Sequence, residues 1–300
     1  MRDARECLMS YLADEIGSQP GCWSTAIDAA AAAAAALPAR GARVAAIGCG
    51  SSLNVARCYA ALREAAGHGE TDAFPASEVP AARRYDHMVF ISRTGTTTEV
   101  LDALQRVPPQ ARTAAVVADR ASPLAARVGA AVVLDFAAER SVVSSRFVTS
   151  SIVLLRAHLG EDVRGLPAAA ARELARPLPP GLARRGQFTF LGRGWAAAVA
   201  DEAALKLREA AHAWAESYPA MEYRHGPISV SDPGTVVWAL GEVPPGLVAD
   251  ARSTGATVIA PATDPLAALT GAQRLAVGLA ERKGIDPDRP RALARSVILA

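Results

Sequence analysis

Lysine is nearly missing from this 300-residue chain: Lys206 and Lys283 stand against thirty arginines. The bias toward Arg and Ala means that an arginine can stand where related chains carry lysine. The arginines form no basic run and the formal net charge is only +2, which argues against a nucleic-acid or polyanion surface. Cysteines number four, Cys7, Cys22, Cys49 and Cys58, without the spacing of metal ligands and with no secretory signal ahead of them. A reduced, cytoplasmic compartment and no metal are the expectation. No run of 18 apolar residues free of turn signals occurs, so no membrane span is expected; the alanine tract at 29–36 is short and reads as helix. The dinucleotide fingerprint Gly-x-Gly-x-x-Gly is incomplete, because Leu53 follows Gly48 and Gly50 at the third glycine position. That argues against a nicotinamide cofactor, and no cofactor is expected.

A hydrophobic content of 51% can bury a large core, enough for one big domain or two ordinary ones. Helical segments at 2–16 and 24–37 open the chain, interrupted at Gln19-Pro20-Gly21. Four strand-like runs follow at 43–47, 88–91, 113–118 and 131–136, each leading through a loop into a helical pattern, the last helix reaching about residue 159. Strands alternating with helices at this spacing predict an α/β fold with a parallel, doubly wound sheet, whose ligands bind where loops leave the carboxyl ends of the strands. Residues 174–186, with Pro177, Pro179, Pro180 and Gly181, read as a linker between a unit at 1–173 and a second at 187–300. The second unit repeats the first: Phe190-Leu191-Gly192-Arg193-Gly194 has the strand-then-Gly-x-Gly form of Ile47-Gly48-Cys49-Gly50, and 235–240 and 256–260 match the strands at 88–91 and 113–118.

Chemistry concentrates in two stretches. In Ser92-Arg93-Thr94-Gly95-Thr96-Thr97-Thr98-Glu99, hydroxyls and one glycine lie between a strand end and a helix start. The first N–H groups of a helix lack partners within it and carry the positive end of its dipole, so such a turn can hold an anion, phosphate being the natural guest. The alternative is a Ser/Thr-rich N-cap with no ligand. The matching loop of the second unit, Gly241-Glu242-Val243-Pro244-Pro245-Gly246, has an acid and two prolines and should repel phosphate. Together with Ser51-Ser52 and Ser144-Ser145, the turn suits a small polyhydroxylated phosphate ester. The other stretch is 201–225. On a helix, Glu202, Lys206 and Glu209 fall on one stripe at spacings of four and three. They are either a solvated ion-pair face or, given the Ala and Leu around them, a buried cluster that needs a partner or a task. His225, in Tyr223-Arg224-His225-Gly226-Pro227, reads as a loop histidine free to meet a ligand.

Phe190-Leu191-Gly192-Arg193-Gly194, Glu202-Ala203-Ala204-Leu205-Lys206-Leu207-Arg208-Glu209, Ala215-Glu216-Ser217-Tyr218 and Arg224-His225-Gly226-Pro227 resemble the isomerase half of glutamine:fructose-6-phosphate amidotransferase, and residues 283–297 resemble that family's tail. Glu15-Ile16, Gln19-Pro20, Trp23, the loop at 92–98 and residues 139–145 also resemble the shorter sugar isomerase (SIS) proteins that act as amino-sugar-phosphate deaminases. The resemblance implies two SIS subdomains, each a parallel sheet flanked by helices. It implies that Ser51, Ser52, Ser92, Thr94 and Thr97 hold a sugar phosphate and that Ser144 lies near the sugar hydroxyls. It further implies that Glu209, assisted by Lys206, would move a proton between C1 and C2, and that His225 would assist ring opening from the neighbouring subunit of a homodimer.

Two positions depart from the family pattern. Arg295 replaces the tail lysine that forms an imine with the open-chain ketose; a guanidinium stays protonated and cannot do so, though it can bind phosphate or an oxyanion. Thr96 replaces a loop glutamate. With the SIS pattern starting near Met1, no glutaminase domain and no glutamine-dependent synthesis are expected. The expected activity is that of an amino-sugar 6-phosphate deaminase or isomerase acting by proton abstraction at C2. Dehydration of N-acetylglucosamine 6-phosphate by the same base, isomerisation of a non-amino sugar phosphate, and a sugar-phosphate sensor without turnover are the alternatives.

Overall fold

The computed structural model describes residues 10–299. Helices α1 (Tyr11–Gly17) and α2 (Gln19–Ala33) precede β1 (Val44–Gly48), α3 (Ser51–Ala65), β2 (Thr71–Pro75), β3 (His87–Ile91), α4 (Thr98–Gln105), β4 (Arg112–Val117), α5 (Pro123–Arg127) and β5 (Ala130–Val133). Helices α6 (Arg146–His158) and α7 (Leu166–Ala175) lead on to β6 (Gln187–Gly192), α8 (Trp195–Ala211), β7 (Trp214–Pro219), β8 (Thr235–Leu240), α9 (Leu247–Ser253), β9 (Thr257–Ile259) and α10 (Pro265–Lys283). The strands form two all-parallel sheets, ordered β2-β1-β3-β4-β5 and β7-β6-β8-β9. The second order is the first with the last strand left off, so the internal repeat is structural as well as sequential.

Central strands such as β1 and β8 are buried at every residue, the consequence of helices on both faces, and this is why they read as unbroken apolar runs. Strands β2 and β7 are edge strands that the sequence reading did not find. Each mixes polar with apolar residues, pairs on one side only, and ends in a proline, Pro75 or Pro219, that cannot serve a two-sided ladder. The N-terminal expectation is also corrected: the break falls at Ser18, and Gln19 and Pro20 belong to α2, where proline fits the first turn because its missing N–H would have no helical partner. Residues 2–9 of the expected first helix, with Cys7, lie outside the described residues.

The largest apolar cluster lies between the sheets, joining Val44 and Val89 of the first to Phe188 and Trp238 of the second through the apolar faces of α2, α3, α6, α8 and α10. Helices α3 and α8 follow the first strand of their units and pack antiparallel: Arg57 bonds Asp201 at 3.0 Å, and the Cys58 thiol lies 3.6 Å from the Trp195 carbonyl. Their close approach to the sheets depends on Gly48 and Gly192. A Cβ on Gly48 would sit 2.6 Å from the Ser52 backbone, and one on Gly192 would collide with the Ala196 carbonyl.

His87, at the start of β3, is 4% exposed and its Nε2 has no hydrogen-bond partner. Burial, with Arg112 and Arg63 nearby, pushes its pKa down to about 4. A base with a depressed folded pKa contributes stability above its unfolded pKa, here 6.5, and loses it as pH falls toward the folded value. Between those limits wild type should lose up to about 3 kcal/mol relative to His87→Leu, measured by urea unfolding at a series of pH values.

Candidate active site

The cavity that joins the two stretches is built first from the turn after β3. Ser92 Oγ accepts the Gly95 N–H at 3.1 Å, and Thr94 Oγ1 accepts from the Thr96 N–H at 3.3 Å and the Thr96 hydroxyl at 2.9 Å. Gly95 has φ +61°, and a Cβ there would strike Ser122, so the turn closes only with glycine. Thr97 is the N-cap of α4, yet its hydroxyl caps nothing. A Ser/Thr-rich cap alone does not explain the turn, because the group best placed to cap is turned toward something else.

Behind the turn lies an ion pair. Arg93 is 8% exposed and its Nη1 sits 2.9 Å from Glu139 Oε2, a carboxylate with no solvent access. Glu139 also accepts from the Ser144 hydroxyl at 2.8 Å and the Ser145 N–H at 2.6 Å, and so fixes the loop ahead of α6. Burial would raise this carboxyl, but the Arg93 guanidinium and these hydrogen bonds outweigh it and hold Glu139 below the usual carboxylate range. Arg93 Nη2 reaches two carbonyls, Val142 at 2.9 Å and Arg295 at 3.3 Å. One side chain therefore ties the β3 turn to the 139–145 loop and to the C-terminal tail. Buried Glu15 holds the same loop from the other side by accepting the N–H groups of Arg140 and Ser141.

The charged stripe of α8 is buried against the start of α3. Lys206, 1% exposed, places its ammonium 2.5 Å from Glu209, 3.3 Å from Glu202 and 2.8 Å from Ser51 Oγ, while Asn54 donates to Glu202 at 2.9 Å. Burial works against the ammonium, yet Glu202 and Glu209 outweigh it and hold Lys206 above the ordinary lysine value. Burial pushes the Glu202 carboxyl up in spite of Lys206. A solvated ion-pair face is therefore not what these residues form. Glu209, its side chain 19% exposed, is the open end of the cluster.

A cavity of about 230 Å³ is lined by Ser51, Ser52, Ser92, Thr94, Thr97, Ser144, Glu209 and Arg295, with Arg93 and Ser296 among the other lining residues. Lys206 lies one hydrogen bond behind it. His225 does not join: it is exposed, on a single 3-10 turn (Glu222–His225) where the sequence reading placed a loop too broken for helix. Asn54, Arg93 and Ser296 went unassigned in the sequence. Asn54 could have been found from its place one turn after Ser51 on α3, whereas Arg93 and Ser296 meet partners 46 and about 200 positions away and leave no local signal. Among the described residues no group of three or more His, Cys, Asp or Glu could hold a metal ion, and no helix is long and apolar enough to cross a membrane.

No family model matches the chain. The glutamine–fructose-6-phosphate aminotransferase (isomerizing) of Methanothermobacter thermautotrophicus is 28% identical over 304 residues, an alignment covering 85% of this chain and 51% of the relative. Among solved structures, glucosamine-6-phosphate deaminase from Thermotoga maritima superposes with TM-score 0.82 at 26% identity, covering 97% of this chain and 100% of that one. The C-terminal domain of glucosamine-fructose-6-phosphate aminotransferase from Francisella tularensis gives TM-score 0.79 at 21% identity, a likeness of fold. The chain has the two-sheet fold of the SIS-domain phosphosugar isomerases and is similar in sequence to the isomerase half of the aminotransferase. It spans about half the length of the curated aminotransferase it matches. Within this SIS fold the hydroxyl-bearing turns belong to the first sheet and the carboxylate comes from the helix after β6, so the cavity takes groups from both units.

Removing Arg93 leaves Glu139 buried and without its cation. Arg93→Gln should cost about 3–5 kcal/mol in urea unfolding, and the double variant Arg93→Gln, Glu139→Gln should recover part of that loss. A double variant no more stable than the single one would show the two residues to be uncoupled.

Proposed function

We propose that the chain is a sugar-phosphate isomerase or deaminase that acts on an amino-sugar 6-phosphate of the glucosamine 6-phosphate type. The observation that carries the reading is that Glu209, with Lys206 behind it, faces the same cavity as the hydroxyls of Ser51, Ser52, Ser92, Thr94 and Thr97. The hydroxyls and the N-terminal N–H groups of α3 and α4 take the phosphate, and Ser144 meets the sugar hydroxyls. In the open-chain aldehyde, Glu209 removes the proton from C2, whose acidity the adjacent carbonyl provides. The electron pair forms a C1–C2 double bond and the carbonyl electrons move to the C1 oxygen, where the Lys206 ammonium stabilises the charge. Return of the proton to C1 gives a C2 imine; water adds there and ammonia leaves, yielding the 2-keto sugar phosphate. His225, exposed and outside the cavity lining of its own chain, is assigned to ring opening in the site of a second copy, as the SIS resemblance implies.

Incubation with glucosamine 6-phosphate in heavy water, followed by NMR, tests the base. Wild type should incorporate deuterium or release ketose phosphate, and Glu209→Gln should lower that rate by about 10²–10⁴. A Glu209→Gln rate within tenfold of wild type would remove the carboxylate from the mechanism. Saturable binding without exchange would leave a sensor, and a dehydrated product from the N-acetylated sugar would select elimination instead.

Arg295 in place of a lysine makes a second expectation. Sodium borohydride added during turnover should leave the mass of the chain unchanged, because a guanidinium forms no imine and the Lys206 ammonium is held protonated. A reduced sugar adduct on Lys206 would overturn general-base catalysis without a covalent intermediate.

A further inference from the structure

The threonine hydroxyls of the β3 turn already have a guest. Ser296 Oγ lies 3.3 Å from Thr94 Oγ1, 2.9 Å from Thr96 Oγ1 and 3.3 Å from Thr97 Oγ1. The neighbouring main chain continues the pattern. The Thr98 N–H, on the first residue of α4, donates to the Val297 carbonyl at 3.1 Å, and the Leu299 N–H donates to Thr98 Oγ1 at 3.0 Å. The threonine hydroxyls and the Thr98 N–H are donors a phosphate on the α4 N-terminus would need, and a donor spent on the tail is lost to the ligand. Ser296 is half-buried, whereas Arg295, Val297, Ile298 and Leu299 on either side are exposed, so the tail meets this surface mainly through one hydroxyl and a few main-chain groups.

We propose that Ser296 is a built-in competitor for the anion cup, so that phosphate binds by displacing the Ser296 hydroxyl and releasing residues 296–299 from α4. The inference rests on the phosphate reading of the site given above. The exchange favours phosphate because hydrogen bonds to an ionised acceptor are roughly twice as strong as those between neutral groups, and a phosphate offers several oxygens where Ser296 offers one. It carries a mechanical consequence. Arg295, next to Ser296, has its carbonyl held by Arg93, so the tail can let go of the cup while it stays pinned one residue earlier. The arriving phosphate thereby frees the segment that follows Arg295 without detaching Arg295 from the cavity rim.

The test uses the full chain, inorganic phosphate as probe, and two readouts. In calorimetric titration, Ser296→Ala should bind phosphate about 5- to 30-fold more tightly than wild type, the equivalent of one or two net hydrogen bonds no longer competing. In hydrogen–deuterium exchange read by mass spectrometry, phosphate should speed exchange of the Leu299 N–H severalfold in wild type, and Ser296→Ala should exchange at that faster rate without phosphate. Weaker phosphate binding by Ser296→Ala would make Ser296 part of the cup and overturn the proposal, as would phosphate protection of the Leu299 N–H from exchange. Equal affinities in the two forms would overturn the competition alone. No saturable phosphate binding in either form would overturn the anion site itself and this inference with it.

Discussion

The ammonium of Lys206, held between Glu202 and Glu209 at the junction of α3 and α8, is the constraint around which the two units are joined. An uncompensated charge in that environment would cost several kcal/mol, so each member of the cluster has to be met by another group. Asn54 and Ser51, both from the first unit, supply the remaining contacts. Glu202 and Lys206 of the second unit thus gain these contacts only when the first unit is docked, and docking places Glu209 against the hydroxyls of the first unit. Stability and site assembly are one event here. Small residues on α8, Ala203, Ala204 and Ala210, let the helices approach closely enough for that.

The two units share a topology and differ in equipment. In the first, Ser92, Thr94, Thr96 and Thr97 line the turn that leads to α4; in the second, the equivalent turn carries Glu242, Pro244 and Pro245 and leads to the seven-residue α9. The carboxylate and prolines remove the donors and reverse the local charge, so an anion is drawn to one end of the molecule. What the second unit contributes is α8. A repeat that would otherwise give two like sites has been divided into one side that brings hydroxyls to the cavity and one that brings a carboxylate.

How much of this could be read in the sequence follows from how far each interaction reaches along the chain. Glu202, Lys206 and Glu209 are spaced by helix geometry, so the stripe was legible and only its burial had to be seen. Strands β1, β3, β6 and β8 were legible because both their faces are covered, which writes them as apolar runs. Strands β2 and β7 were not, since an edge strand that ends in proline looks like a loop. Arg93 stood inside a motif that was read for its hydroxyls, and nothing local says that its guanidinium pairs with Glu139, 46 positions away. His225 was legible as an exposed histidine, and its chain's own fold leaves it outside the cavity.

The tail gathers the remaining physics. It leaves α10 through Gly284 and is anchored by Asp288, whose carboxylate accepts the N–H groups of Tyr11 and Leu12 at the start of α1, at 2.7 and 2.8 Å. Beyond that anchor it crosses the cavity with Ala292 at φ +61°, a left-handed conformation that costs an alanine roughly 1 kcal/mol. It then presents Leu293, Val297, Ile298 and Leu299 to solvent. Its apolar side chains are therefore largely unburied, and its hold rests on hydroxyl and main-chain hydrogen bonds worth about 1 kcal/mol each. A segment with a firm anchor, a strained crossing and few apolar contacts belongs to the low-stability end of a fold, where local opening is cheap. Asp288 sets where such opening begins, and the segment beyond it, Leu293 to Val297, lines the cavity beside Thr94 and Thr97.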